Sequence, residues 1–88
     1  MQNEKLFTTD FDGRGKISYR TVATPDSQGF AWSMAIIKLQ NDSEIETRFL
    51  YDVARDAETA NRMAEIFCRN TVTPCLAGEV IEDMLAQL

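Results

Sequence analysis

Phe30-Ala31-Trp32-Ser33-Met34-Ala35-Ile36-Ile37-Lys38-Leu39-Gln40 is the stretch on which the fold turns. Side chains of an extended strand alternate between two faces. Phe30, Trp32, Met34 and Ile36 therefore share one face, and Ala31, Ser33, Ala35, Ile37 and Leu39 share the other. Ser33, Lys38 and Gln40 are its polar members, so both faces are largely apolar. A strand of this kind belongs inside a sheet, with cover on both sides.

The neighbours on either side read as further strands. Over residues 16–24, Ile17, Tyr19 and Thr21 alternate with Ser18 and Arg20, and β-branched and aromatic residues favour a pleated surface. Pro25-Asp26-Ser27-Gln28-Gly29 closes that strand with turn residues, and Asp10-Phe11-Asp12-Gly13-Arg14-Gly15 precedes it as another turn. Residues 4–9 are expected to add a short first strand. Downstream, Asn41-Asp42-Ser43 is a turn, and residues 44–53 alternate again. That alternation places Ile45, Thr47, Phe49, Tyr51 and Val53 inward and Glu44, Glu46, Arg48 and Asp52 outward. Short turns between successive strands imply an antiparallel meander.

The period then becomes helical. Asp56 suits an N-cap, and a first helix is expected to run to about Asn70 with Ala57, Ala60, Met63, Ala64, Phe67 and Cys68 on its apolar stripe. Glu58 with Arg62 and Glu65 with Arg69 are favourably ordered pairs on its outer side. Thr73 caps a second helix whose first residue, Pro74, has no N–H to lose there. Its stripe is read as Leu76, Val80, Ile81, Met84, Leu85 and Leu88. The expected fold is α+β in a single domain, 1–88: a three- to four-stranded antiparallel meander followed by two C-terminal helices packed on one face.

Composition narrows the function. The net charge of −5 and a pI near 4.5 oppose nucleic acid and anionic membranes as partners, because both are bound chiefly through clustered Lys and Arg. Two cysteines in 88 residues do not make the disulfide framework of a small secreted domain. The N-terminus lacks the apolar core of a signal peptide, so a cytoplasmic location is expected.

The absence of histidine removes Ser-His-Asp and Cys-His nucleophile systems, and two Cys alone cannot complete a tetrahedral zinc site. Asp10-Phe11-Asp12-Gly13 has the wrong spacing for a calcium loop, and Gly13-x-Gly15 lacks the third glycine of a dinucleotide loop. Glu79, Glu82 and Asp83 read as a solvated helix face. No catalytic, cofactor-binding or metal-binding residue is assigned, and no cofactor is expected. Cys75, at the start of the second helix, is the one candidate reactive thiol, because a helix N-terminus favours a thiolate. The plainer reading makes it a packing residue of the helix junction.

Two helices of this length cover one side of the sheet. Ala31, Ala35, Ile37 and Leu39 then form a candidate interface on the other, closed either by residues before Lys16 or by a second chain.

The segments Phe30-Ala31-Trp32, Ile45-x-Thr47, Val53-Ala54-Arg55-Asp56, Pro74-Cys75-Leu76 and Val80-Ile81-Glu82-Asp83-Met84-Leu85 resemble a group of small bacterial proteins of around 90–100 residues, classed as a domain of unknown function. The resemblance covers roughly residues 30–85. It implies a bacterial, cytoplasmic protein and carries no activity or ligand. Cys75 stands where that pattern leads one to expect a polar residue, often His, which weakens any shared chemistry at the junction.

The sequence thus favours a non-enzymatic protein-interaction or homodimerising module. A small-molecule-sensing domain with a pocket between helices and sheet is the alternative. A thiol enzyme or redox sensor using Cys75 is the third.

Overall fold

Turn residues punctuate four alternating segments, and the segments pair in chain order. β1 (Leu6–Phe11), β2 (Gly15–Asp26), β3 (Gly29–Gln40) and β4 (Ser43–Ala54) form one antiparallel sheet of order β1-β2-β3-β4, followed by α1 (Ala57–Arg69) and α2 (Pro74–Ala86). The protein is therefore α+β, a four-stranded meander with two C-terminal helices. The computed structural model describes residues 4–11, 13, 15–26 and 29–86. The side chains of Phe30 and Leu85, the turn residues Asp12, Arg14, Ser27 and Gln28, and Leu88 lie outside the described residues.

β3 is interior, between β2 and β4, as its two apolar faces require. Asn41 and Asp42 join it to β4 with φ of 54° and 65°, a two-residue turn whose twist matches the strands it connects. Asn and Asp tolerate that left-handed region better than other non-glycine residues. At the other hairpin, Gly15 sits where a Cβ would lie 2.6 Å from the Phe11 carbonyl oxygen, so only glycine lets β1 close on β2 there.

The helices cover one face. α1 lies mainly over β2 with β1, and α2 over β4 with β3. Ile17 and Tyr19 of β2, Trp32, Met34 and Ile36 of β3, and Leu50 and Val53 of β4 bury against Ala60, Met63, Ala64 and Phe67 of α1 and Ala77 and Ile81 of α2. Tyr19 meets Phe67 edge-to-face, with centroids 6.3 Å apart and planes at 88°. The fully buried Tyr19 hydroxyl donates to the Val72 carbonyl, 2.6 Å away, in the junction between the helices. Buried Thr21 ties three elements together, accepting from the Lys5 N–H and donating to Asn61 Oδ1 of α1.

Two expectations are corrected. In β4, Thr47, Phe49 and Tyr51 face away from the helices, while Glu46, Arg48 and Leu50 lie on the helix side: Met34 pairs with Leu50, Ile36 with Arg48 and Ala35 with Phe49. The cause is the extra residue at Ile45, which shifts the alternation by one; a second interruption, at residues 51–53, adds two residues and leaves the phase on either side the same. The second lets Leu50 and Val53, three apart, both reach the core, with Asp52 between them at φ 55°. In α2, Leu76 is not on the buried stripe; it is 51% exposed, and Pro74, Ala77 and Ile81 take the inner side.

The ends of α1 are built from its own sequence. Asp56 accepts a 2.8 Å bond from the Thr59 N–H and a further bond from the Thr59 hydroxyl. Those bonds, the backbone one foremost, hold the Asp56 carboxyl below its usual range. A depressed folded pKa means that the stabilisation is complete above the unfolded value, about 3.9, and disappears as pH falls through the folded value. The urea midpoint of the wild type should therefore fall relative to Asp56→Asn on acidification below pH 4, because Asn keeps a cap that does not titrate. Parallel curves for the two proteins would disprove the assignment.

At the other end, Val72 N–H bonds to the Phe67 carbonyl and Thr71 N–H to the Cys68 carbonyl, with Thr71 at φ 51°. This is a Schellman close with a β-branched residue where glycine is the usual choice. Thr71→Gly should raise stability by about 0.5–1 kcal/mol, read by urea denaturation, since relief of the left-handed strain outweighs the loss of a half-buried side chain. A loss of stability would contradict it.

Candidate functional site

The face of the sheet opposite the helices is read directly from the strand register. Asp10, Lys16, Leu39 and Glu44 form one row across the four strands. Thr8, Ser18, Ile37 and Thr47 form the next, and Leu6, Arg20, Ala35 and Phe49 the one after. Beyond them Val22 pairs with Ser33, and Thr24 with Ala31. Of the described residues before Lys16, Leu6–Phe11 do not fold over this face; they extend the sheet as β1.

The middle of the face is apolar. Ala35, Ile37 and Leu39 of β3 are half-buried, and so are Val22 and Phe49 on the flanking strands. Tyr51 packs its ring 4.5 Å from that of Phe49 and is 73% exposed, and Leu6 is 63% exposed. Leu6, Ser18, Arg20, Ile37, Leu39 and Glu44 line an open trough of about 590 Å³. Of the four residues named from sequence, Ala35, Ile37 and Leu39 reach this surface. Ala31 does not, being 1% exposed. Leu6, Phe49 and Tyr51 were not among those four. The adjacent apolar residues Phe49-Leu50-Tyr51, which alternation cannot send to one side, were the available signal.

Charge lies around the apolar centre. Lys16 and Arg20 stand on β2, with Glu44 and Asp52 on β4 and Asp10 on β1. Glu44 accepts a bond from the Thr47 hydroxyl on the same face. Towards the far end, Ser33 Oγ accepts from the Asp52 N–H at 3.0 Å and lies 3.0 Å from the Thr24 hydroxyl. These bonds hold the second β4 interruption in place. Among the described residues no buried side-chain polar atom lacks a partner, so this polar knot is structural.

No family model, curated protein or solved structure matches the chain. The site is therefore argued from its own residues.

The other candidates sit apart from the open face. Cys75 is exposed at the start of α2, and Cys68 is half-buried on α1; both are free thiols. Burial, and then the Glu65 carboxylate, push the Cys68 thiol up, away from the reactive form. Met63, Ile66 and Met84, with Thr59 and Arg62, line a groove of about 280 Å³ between the helices, at the lower limit of small-molecule sites. Among the described residues no three potential metal ligands gather, and no helix is long and apolar enough to cross a membrane.

Proposed function

We propose that this protein is a small self-associating interaction module whose working surface is the open face of its sheet. The observation that carries this reading is the continuous apolar strip of Leu39, Ile37, Ala35, Phe49 and Tyr51, left outside both helices. Proteins that remain single seldom expose a contiguous apolar patch larger than a few hundred Å². With strands about 4.8 Å apart and residues rising about 3.3 Å, the three strands β2–β4 between the Leu39 and Val22 rows present roughly 300–400 Å². Two such faces reach about 600–800 Å², the small end of the range, which suits weak, concentration-dependent pairing. The bases Lys16 and Arg20 share the face with Asp10, Glu44 and Asp52, and Glu4 and Lys5 border its trough, a mixed charge that suits a protein surface better than a polyanion.

Light scattering over a concentration series tests the reading. The wild type should approach twice its 10.0 kDa mass, and Ile37→Glu, which sets a charge in the middle of the strip, should return it to monomer. Phe49→Ser serves as a second variant, and circular dichroism establishes that both stay folded. A wild-type mass that stays at 10.0 kDa up to millimolar concentration overturns the proposal.

A further inference from the structure

We propose that the two copies pack about a two-fold axis running along β3, so that Lys16 of each copy meets Glu44 of the other. The inference rests on the open-face reading and specifies the arrangement and the residues that select it.

Two sheets packed face to face in the aligned manner keep their strands within about 30° of one another. A two-fold axis lying between them then has two directions to choose from. An axis across the strands puts β2 over β2 and β4 over β4. Arg20 is then gathered with its own mate, and Glu44 is turned toward Asp52, so that like charges meet on both sides of the apolar strip. An axis along β3 puts β2 over β4 and preserves each row. Lys16 and Glu44, which flank Leu39 in a single row, then face each other twice across the interface.

In the row of Ala35 the same operation lays Arg20 over Phe49, a cation above an aromatic face. The row between stacks Ser18 over Thr47. Along the axis itself Ala35, Ile37 and Leu39 meet their own counterparts, as an isologous contact requires. Moving the axis to the gap between β2 and β3 would set Asp10 over Glu44, two carboxylates in one row. The charges therefore select the β3 axis among the aligned arrangements. Lys16 and Glu44 are both exposed in the single copy, so exchanging their charges alters only surface contacts, the Thr47 bond to Glu44 and the proximity of Asp10 to Lys16.

The test is a charge swap read as a dimer dissociation constant at low salt. Lys16→Glu and Glu44→Lys should each weaken the dimer about 10- to 100-fold, because each substitution creates two like-charge contacts. The double variant Lys16→Glu/Glu44→Lys should return to within about threefold of the wild type, as a coupled pair does. Asp10→Lys should not tighten the dimer, since Asp10 lies beyond the overlapped strands and only borders Lys16, whereas an axis in the gap between β2 and β3 would set the new lysine over Glu44. A wild-type dimer whose double variant is no tighter than the singles, or whose Asp10→Lys variant is tighter than the wild type, overturns the arrangement and leaves the module reading standing. A monomeric wild type overturns both.

Discussion

Phe67→Ala is expected to remove about 3–5 kcal/mol from the unfolding free energy. Phe67 is fully buried on the inner side of α1, and its ring meets the edge of Tyr19, itself fully buried on β2. Alanine would retain the helix but leave a ring-sized void between α1 and the sheet, at the point where β2, α1 and the helix junction converge. A chain of this size has on the order of 5–10 kcal/mol in total, so the variant would stand close to its unfolding threshold at 25 °C. Urea denaturation at low protein concentration reads the loss without a contribution from association. A loss under about 1 kcal/mol would mean that α1 does not pack on β2 through this ring.

Tyr19→Phe should cost about 1–3 kcal/mol although it deletes a single oxygen. The Tyr19 hydroxyl donates its proton to the Val72 carbonyl at 2.6 Å, inside the core. Without it the carbonyl keeps its burial and loses its partner, which costs more than the net value of the bond. Burial, and after it the neighbouring Cys68, hold the Tyr19 phenol above its ordinary range, so it stays protonated and the bond is present at neutral pH. The penalty should accordingly be constant between pH 6 and 9. A neutral substitution, or a penalty that changes across that window, would show that the helix junction is not anchored to β2 by this bond.

Much of the architecture was legible because local signals agreed with the global fold. The two apolar faces of β3 placed it inside the sheet, and Asp56 and Pro74 marked the starts of both helices to the residue. The parity of β4 was not legible. Strict alternation from Ile45 reads through Phe49 and Tyr51 to Val53, but the extra residue at Ile45 shifts the phase and the irregular stretch around Asp52 returns Val53 to the core, and no residue type announces either. The same misreading hid Phe49 and Tyr51 from the candidate surface, and Leu6 joined it only once β1 was seen to pair with β2. Ala31 was misplaced for another reason: alternation gives the face of a residue and not what stands over it. Leu76 failed because a helical stripe read from apolar residues prefers Leu to Ala, whereas the close approach of α2 to the sheet selects the smaller Ala77. Gly78 reports the same closeness, since a Cβ there would lie 2.6 Å from the guanidinium of Arg48 on β4.

The irregular β4 also governs how far assembly can proceed. The proposed face-to-face pairing would leave the outer margin of β4 unoccupied, and a regular twelve-residue margin would invite strands from further copies. At Ile45 and again over residues 51–53 the spacing of backbone donors and acceptors falls out of step, so an incoming straight strand loses its match twice. Glu44, Glu46 and Arg48 add charge along the stretch between. Growth by strand addition along β4 is thereby disfavoured.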